Sequence, residues 1–166
     1  MPILARHALE FFSHSAEQTR RVGVRLGSML QKGMIICLEG DLGAGKTTLT
    51  DGVVQGYGSV ERASSPTYVI MNEYRHPGGS RIYHADAYRL AGNNPFDIEM
   101  LDLDQNLQNG ILILEWAERL QTSLPKEHLW VSIQYLGVDQ RHLIFTPRGK
   151  AYETIAKKLQ QSLFGV

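Results

Sequence analysis

Apolar and polar positions along the chain follow two periods, and segments of the two kinds alternate. Nearly uninterrupted apolar runs, such as MIICLEG (34–40) and ILILEW (111–116), are typical of strands buried on both faces of a sheet. Between them lie longer segments with apolar residues at helical spacing, as in residues 15–33. This alternation predicts an α/β fold in which helices cover a mainly parallel sheet.

The elements can be assigned from these patterns and from their flanking residues. Strands are predicted at residues 7–12, 34–40, 67–75, 81–89, 111–116, 129–136 and 141–147. Helices are predicted at residues 15–33, 46–58, 95–107 and 148–163. Ser15 and Gln18 form a capping-box pattern for the first helix, and Gly33 is its expected end. The turn residues HPGGS and the pair Gly137 and Asp139 each predict an antiparallel hairpin.

Composition narrows the class of protein. The 166 residues suit one domain, 1–166. The sequence contains no uncharged apolar run long enough to predict a membrane span. A single cysteine, Cys37, and the lack of a signal-peptide pattern favour a cytoplasmic protein. The formal net charge is zero, so contact with nucleic acid is expected to be shared with a partner. The lysines of the last helix are more simply a solvated face than an RNA-binding surface: Lys150, Lys157 and Lys158.

A phosphate-binding loop is the clearest chemical signal. The segment GDLGAGKTT, residues 40–48, matches the template G-x-x-x-x-G-K-[ST] and lies between a predicted buried strand and a predicted helix. Gly43 and Gly45 allow the backbone N–H groups to point at the β-phosphate. Lys46 is expected to reach the β- and γ-phosphates, and the Thr47 hydroxyl to bind Mg²⁺.

Such a loop needs a carboxylate from a neighbouring strand to hold Mg²⁺, and two candidates exist. Glu115 ends the run ILILE, and Asp86 follows RIYHA. Either could bind the metal while the other positions water. The simpler alternatives are a helix-capping surface acid for Glu115 and an ion pair with Arg89 for Asp86.

Three further observations bear on the nucleotide and its chemistry. The segment SSPTY presents Thr67 after a proline, but from spacing alone it is a plain turn. The chain lacks an N-K-x-D segment, which favours ATP over GTP. Its histidines are scattered and form no H-x-x-x-H pair, which argues against a transition-metal site.

GDLGAGKTT, SPTY, HADAYRL and LEWAE occur in an order and at spacings that closely resemble the bacterial ATPases of tRNA threonylcarbamoyladenosine biosynthesis, the TsaE (YjeE) family. The resemblance covers nearly the whole chain. It implies a P-loop NTPase-like three-layer α/β sandwich with a mixed, mainly parallel sheet and antiparallel hairpins. It also implies an ATPase that binds ATP and Mg²⁺, is weak alone, and acts with TsaB and TsaD to install N6-threonylcarbamoyl on adenosine 37 of tRNA. Contact with tRNA would be indirect, through the complex.

The resemblance also assigns residues. It implies that the phosphates are surrounded by Leu42, Gly43, Ala44, Gly45, Lys46, Thr47 and Thr48, with Ala16 and Arg141 near the nucleotide. Thr47 and Glu115 would bind Mg²⁺. Asp86 would orient the attacking water, and Thr67 would act as a switch-like sensor. Trp116 would pack beside the site.

Two other functions remain open at this point. A small-molecule kinase would use Asp86 as the base for an acceptor hydroxyl, although no acceptor-binding segment is recognisable. A nucleotide-dependent binding module would need ATP but not its hydrolysis.

Overall fold

The computed structural model describes residues 4–64, 71–88, 99, 101–120 and 123–165. In chain order the elements are β1 (Leu9–Ser13), α1 (Ala16–Gly27), β2 (Ile35–Glu39), α2 (Lys46–Tyr57), β3 (Met71–Arg75), β4 (Arg81–Asp86), α3 (Leu103–Asn109), β5 (Gly110–Glu115), a 3-10 turn (Ala117–Arg119), β6 (His128–Gly137), β7 (Gln140–Arg148) and α4 (Lys150–Phe164). In these ranges no helix has the length and apolar character needed to cross a membrane.

The strands of the described residues form one seven-stranded sheet in the order β1-β7-β6-β2-β5-β4-β3. The four central strands, β6, β2, β5 and β4, run parallel to one another. The hairpin partners β7 and β3 are antiparallel to their neighbours, and β1 adds an antiparallel edge strand beside β7. The predicted α/β fold with a mixed sheet and antiparallel hairpins is confirmed.

Helices cover both faces of this sheet, as the three-layer prediction requires. Alternate side chains of β2 point to opposite faces: Ile36 and Leu38 lie in one apolar cluster, and Ile35 and Cys37 in the other. The first cluster is completed by buried residues of α1, α2 and α4, and the second by the segment around α3 and the 3-10 turn. Burial raises the pKa of the Cys37 thiol to about 12, so it packs as an inert apolar group.

The first helix begins as predicted but ends earlier. The Ser15 side chain accepts a hydrogen bond of 3.0 Å from the Gln18 N–H, and the Gln18 side chain accepts one from the His14 N–H. The predicted end at Gly33 is wrong, because α1 stops at Gly27 and, after the Ser28 N–H, the N–H groups of Met29 and Leu30 bond three residues back rather than four. Gly33 instead takes a left-handed conformation in the turn that leads into β2.

The predicted helix at residues 95–107 is confirmed at Glu99 and from Leu103 onward, but it is interrupted at residues 101 and 102. Asp102 adopts a left-handed conformation (φ +44°), so a continuous helix cannot pass through it, and α3 spans Leu103–Asn109. Aspartate tolerates this conformation better than most residues do. Smaller differences occur at other ends: β4 stops at Asp86, and α4 starts at Lys150. The predicted strand 67–75 lies partly outside the described residues.

Helices α1 and α2 approach each other very closely through glycines that share one face of each helix: Gly23, Gly27, Gly52 and Gly56. A Cβ atom at Gly27 would lie 2.2 Å from the Val53 carbonyl oxygen. At Gly56 it would lie 2.0 Å from the Val24 carbonyl oxygen. Backbone therefore packs on backbone, and this contact fixes the helix that carries the phosphate loop.

Replacing Gly56 with alanine is expected to destabilise the protein although alanine favours helix formation. The steric overlap with α1 outweighs the gain in propensity, so we expect the free energy of unfolding to fall by about 2 kcal/mol. Urea unfolding followed by circular dichroism measures this. Gln55→Ala, at an exposed position of the same helix, should change it by less than about 0.5 kcal/mol. A Gly56→Ala variant as stable as the parent would show that the helices separate freely.

Candidate nucleotide site

The phosphate loop at residues 40–48 leaves the end of β2 and enters α2, the context that the sequence predicted. Gly43 (φ +81°) and Gly45 (φ +111°) both lie in the left-handed region, which favours glycine. Gly45 is the N-cap of α2, so the first N–H groups of that helix face the loop. Ala44 is buried, whereas the Leu42 side chain is 92% exposed at the tip. The loop has the shape needed to bind an anion.

Lys46 is the first residue of α2 and is 6% exposed. Its ammonium donates to the carbonyl oxygens of Gly40 and, at 3.0 Å, of Asp41. Desolvation lowers the pKa of Lys46, opposed by the negative charges of Glu115, Glu118, Asp86 and Asp41. A cation in this partly desolvated position interacts strongly with any phosphate that enters the loop.

Glu115 and Asp86 end neighbouring parallel strands and lie opposite one another in the register of β5 and β4. Glu115 is 3% exposed, so the alternative that it is a surface capping acid is wrong. Asp86 is half-buried and accepts a hydrogen bond of 2.8 Å from the Tyr88 N–H. Burial raises the pKa of Asp86 against the effect of that bond, and the Glu115 charge adds to the rise. The structure therefore brings Lys46, Asp86 and Glu115 together; Arg89, the other suggested partner of Asp86, lies outside the described residues.

Arg141 and Ala16, which belong to no local motif, lie beside the phosphate loop. The Arg141 guanidinium donates to the Ala44 carbonyl oxygen at 2.7 Å and to Gly43 at 3.4 Å, and it lies over the Tyr135 ring. A cavity of about 40 Å³ next to it is lined by Ala16, Thr19, Gly45, Thr48, Asp139 and Arg141. These residues form a small recess beside the phosphate loop.

Sequence reasoning missed two side chains of the site, Glu118 and His84, whereas the resemblance already implied that Trp116 packs beside it. The Lys46 ammonium lies over the Trp116 ring, and its nitrogen is 4.2 Å from the ring centre. Glu118, in the 3-10 turn, has a buried carboxylate oxygen without a hydrogen-bond partner, and desolvation raises the pKa of this residue. His84 donates to or accepts from Glu115 at 2.8 Å. The sequence did contain a signal for Glu118 and for His84. Glu118 belongs to the motif LEWAE, and residue 84 shares one face of β4 with residue 86.

The donor set fits Mg²⁺. Carboxylate oxygens of Glu115 and Asp86 lie near the first turn of α2, where Thr47 supplies a hydroxyl. Among the described residues no group of three or more His, Cys, Asp and Glu side chains could hold a metal ion by itself. Mg²⁺ is commonly held by one or two protein oxygens and completed by phosphate oxygens and water, so this set suits a metal that arrives with a nucleotide. Thr67 lies outside the described residues.

The family model for "Threonylcarbamoyl adenosine biosynthesis protein TsaE" matches residues 13–143, which include the loop, both acids and Arg141. The chain belongs to the TsaE family. The matched range begins at the end of β1 and reaches into β7, so it contains the parallel centre of the sheet and every described residue of the site. The resemblance drawn from the four motifs is therefore confirmed.

Relatives within the TsaE family match most of the chain. The tRNA threonylcarbamoyladenosine biosynthesis protein TsaE of Bacillus subtilis is 34% identical over 154 residues, which cover 92% of this chain and 94% of the relative. The protein of the same name from Streptomyces coelicolor is 37% identical over 140 residues, or 81% of this chain and 94% of the relative. The Haemophilus influenzae protein is 42% identical over 106 residues, or 63% and 65% of the two chains.

A solved structure shows the same fold. The crystal structure of Bacillus subtilis YdiB matches with a TM-score of 0.76 and 30% sequence identity, and the match covers 98% of this chain and 99% of YdiB. Because the match covers nearly the whole of both chains, it supports the α/β architecture as a whole.

Proposed function

We propose that the protein is a Mg²⁺-dependent ATPase of the machinery that forms N6-threonylcarbamoyladenosine at position 37 of tRNA, acting in the cytoplasm with TsaB- and TsaD-type proteins. Family membership supports the pathway. The observation that carries the ATPase is the meeting of Lys46, Glu115 and Asp86 at the carboxyl edge of the parallel strands. Ligands of open α/β sheets bind at this edge.

Binding of the triphosphate follows from the shape of the loop. The N–H groups at residues 42–48 and the positive end of the α2 dipole would hold the β-phosphate. Lys46 would exchange its bonds to the Gly40 and Asp41 carbonyl oxygens for bonds to the β- and γ-phosphates. Arg141 and Ala16 would flank the nucleoside end, in the recess beside Gly45 and Thr48.

Hydrolysis requires groups on the γ-phosphate side. Thr47 and Glu115 would hold Mg²⁺, which neutralises charge that develops on the phosphate oxygens. Asp86 would orient the attacking water; its carboxylate is half-buried, and this burial raises its pKa, as suits a group that accepts a proton. Thr67 would sense the γ-phosphate. A weak activity in isolation is expected, because a partner protein would complete the site.

A reconstituted reaction tests this function. ATP, Mg²⁺, a TsaB–TsaD pair, unmodified tRNA and a threonylcarbamoyl donor are combined with the protein, and both phosphate release and modified adenosine are measured. We expect modification to require the protein and ATP, and the partner pair to raise phosphate release. A non-hydrolysable analogue that supports repeated modification would favour the binding module. Transfer of the γ-phosphate to a small acceptor, in place of phosphate release, would favour the kinase.

A further inference from the structure

A chain of buried hydrogen bonds extends from Glu115 across the sheet, away from β2. Glu115 Oε2 lies 2.8 Å from His84 Nε2, and His84 Nδ1 lies 3.1 Å from the Tyr74 hydroxyl. The Tyr74 hydroxyl in turn lies 3.1 Å from the N–H of Ser64. His84 is 0% exposed and Tyr74 is 6% exposed, so water cannot replace these bonds. The chain crosses three neighbouring strands, β5, β4 and β3, and ends at the backbone of Ser64.

With Glu115 taken as ionised and His84 as neutral, one direction can be assigned to these hydrogen bonds. An ionised Glu115 can only accept, so His84 Nε2 carries a proton and donates it. In a neutral imidazole Nδ1 is then an acceptor, and the Tyr74 hydroxyl donates to it. The Tyr74 hydroxyl also lies 3.2 Å from the Ser64 carbonyl oxygen, but that oxygen already accepts from the Asn72 side-chain amide at 3.0 Å, so we assign the single Tyr74 proton to His84. The Ser64 N–H donates to the Tyr74 oxygen, and each group is satisfied.

We propose that Tyr74 and His84 are positioning residues that hold Glu115 in its metal-binding orientation and connect it to the backbone at Ser64. This role rests on the proposed function, because it assumes that Glu115 binds Mg²⁺. The Glu115 carboxylate cannot rotate without breaking its bond to His84, and His84 cannot turn without losing Tyr74. Partners of this kind around a metal ligand typically contribute about 10- to 100-fold to metal affinity or activity.

The connection to Ser64 links two parts of the site. Ser64 directly precedes the segment SPTY, which carries the proposed sensor Thr67. The residue before it, Ala63, is also fixed, because its N–H donates to the buried Asp51 carboxylate at 3.0 Å. A displacement of Glu115 on metal binding would therefore be transmitted to the backbone of Ser64, while Ala63 before it stays in place. Metal binding at Glu115 and the hydrogen bond at Ser64 should depend on each other.

Metal affinity is the first readout. Mn²⁺ is titrated in the presence of a non-hydrolysable ATP analogue and followed by electron paramagnetic resonance. Tyr74→Phe, which keeps the ring, and His84→Gln should each weaken Mn²⁺ binding about tenfold, while binding of the analogue without metal is unchanged. Tyr152→Phe is the matched control: Tyr152 is also buried and its hydroxyl accepts from the Ile35 N–H at 2.9 Å, but it has no contact with Glu115. It should bind Mn²⁺ as the parent does.

Two spectroscopic readouts are independent of the metal and of activity. The ¹⁵N spectrum of His84 should show a proton on Nε2 and none on Nδ1, and a proton on Nδ1 instead would overturn the assigned direction. Amide exchange at Ser64 should be slow in the parent and about tenfold faster in Tyr74→Phe, as for a lost hydrogen bond of about 1.4 kcal/mol. A further measurement does use the metal: adding Mg²⁺, which is diamagnetic, with the analogue should slow this exchange further in the parent, but not in His84→Gln.

The outcomes separate this inference from the proposed function. If the parent binds Mn²⁺ with the analogue, and Tyr74→Phe and His84→Gln bind it equally well, the positioning role is wrong and the proposed function stands. If the parent binds no metal with the nucleotide, the proposed function fails and the positioning role fails with it. Should His84→Gln fold poorly, Tyr74→Phe carries the test, with its melting curve compared with that of Tyr152→Phe.

Discussion

Lys46→Ala is expected to lower the affinity for ATP about 100-fold, since charge-assisted bonds to two phosphates are worth about 3 kcal/mol. Lys46 is the first residue of α2, and its ammonium is held by loop carbonyl oxygens rather than by solvent. Alanine keeps the helix and removes only the cation. Isothermal titration calorimetry with ATP and with ADP measures the loss, which should be larger for ATP because the γ-phosphate contact is also removed.

A control for Lys46→Ala is Lys126→Ala, an exposed lysine before β6. It should bind ATP as the parent does. The circular dichroism spectrum and melting temperature of both variants establish that they are folded. ATP binding retained at parental strength in a folded Lys46→Ala variant would contradict the assignment of residues 40–48 as the phosphate loop.

Asp86→Asn is expected to reduce the rate of ATP hydrolysis by about 100-fold or more, because positioned acid–base groups contribute about 10²- to 10⁴-fold. Asparagine retains an oxygen that can accept the Tyr88 N–H bond, so the local backbone should be unchanged. Affinity for ATP should stay within about threefold of the parent, since Asp86 is proposed to contact water rather than phosphate. Single-turnover phosphate release and equilibrium binding measure the two quantities separately.

Glu115→Gln distinguishes the proposed role of Glu115 from that of Asp86. It should raise the Mg²⁺ concentration needed for half-maximal activity, whereas Asp86→Asn should lower the maximal rate at an unchanged Mg²⁺ requirement. Asp104→Asn, an exposed acid in the first turn of α3, serves as the neutral control. The opposite result, with the Mg²⁺ requirement changed by Asp86→Asn and the rate by Glu115→Gln, would exchange the two roles that the sequence left open.

Local patterns predicted the central part of the fold well. The runs at β2 and β5 are buried on both faces, and this requires the continuous apolar sequence by which they were recognised. The loop was equally visible, because Gly43 and Gly45 are needed for their left-handed backbone. Glu115 and Asp86 could be recognised as candidates because each follows a strand-like apolar run, whereas their meeting depends on the pairing of β4 with β5.

Backbone contacts at glycines, which have no side chain, could not be predicted from the sequence. The apolar stripe of α1 was imperfect because part of its buried face consists of Gly23 and Gly27, which pack against the backbone of α2. Such a surface leaves no apolar periodicity in the sequence. The end of α1 was misplaced for a similar reason: Gly33 was taken as a helix stop, although its positive φ serves the turn before β2.

Contacts that depend on the order of the strands in the sheet could not be predicted either. Arg141 reaches the loop because β7 lies two strands away from β2 in the sheet, an order that no local pattern specifies. The hydrogen bond from His84 to Glu115 likewise depends on β4 and β5 being neighbours. The Asp102 break was missed because a tolerated left-handed aspartate does not interrupt the apolar spacing around it.

A crystal structure with a non-hydrolysable ATP analogue and Mg²⁺ tests the central claim most directly. The account predicts the triphosphate within residues 40–48, Mg²⁺ bound by the Thr47 hydroxyl and the Glu115 carboxylate, and a water molecule between Asp86 and the γ-phosphate. A nucleotide seated elsewhere, or Glu115 and Asp86 both turned away from the γ-phosphate, would contradict it.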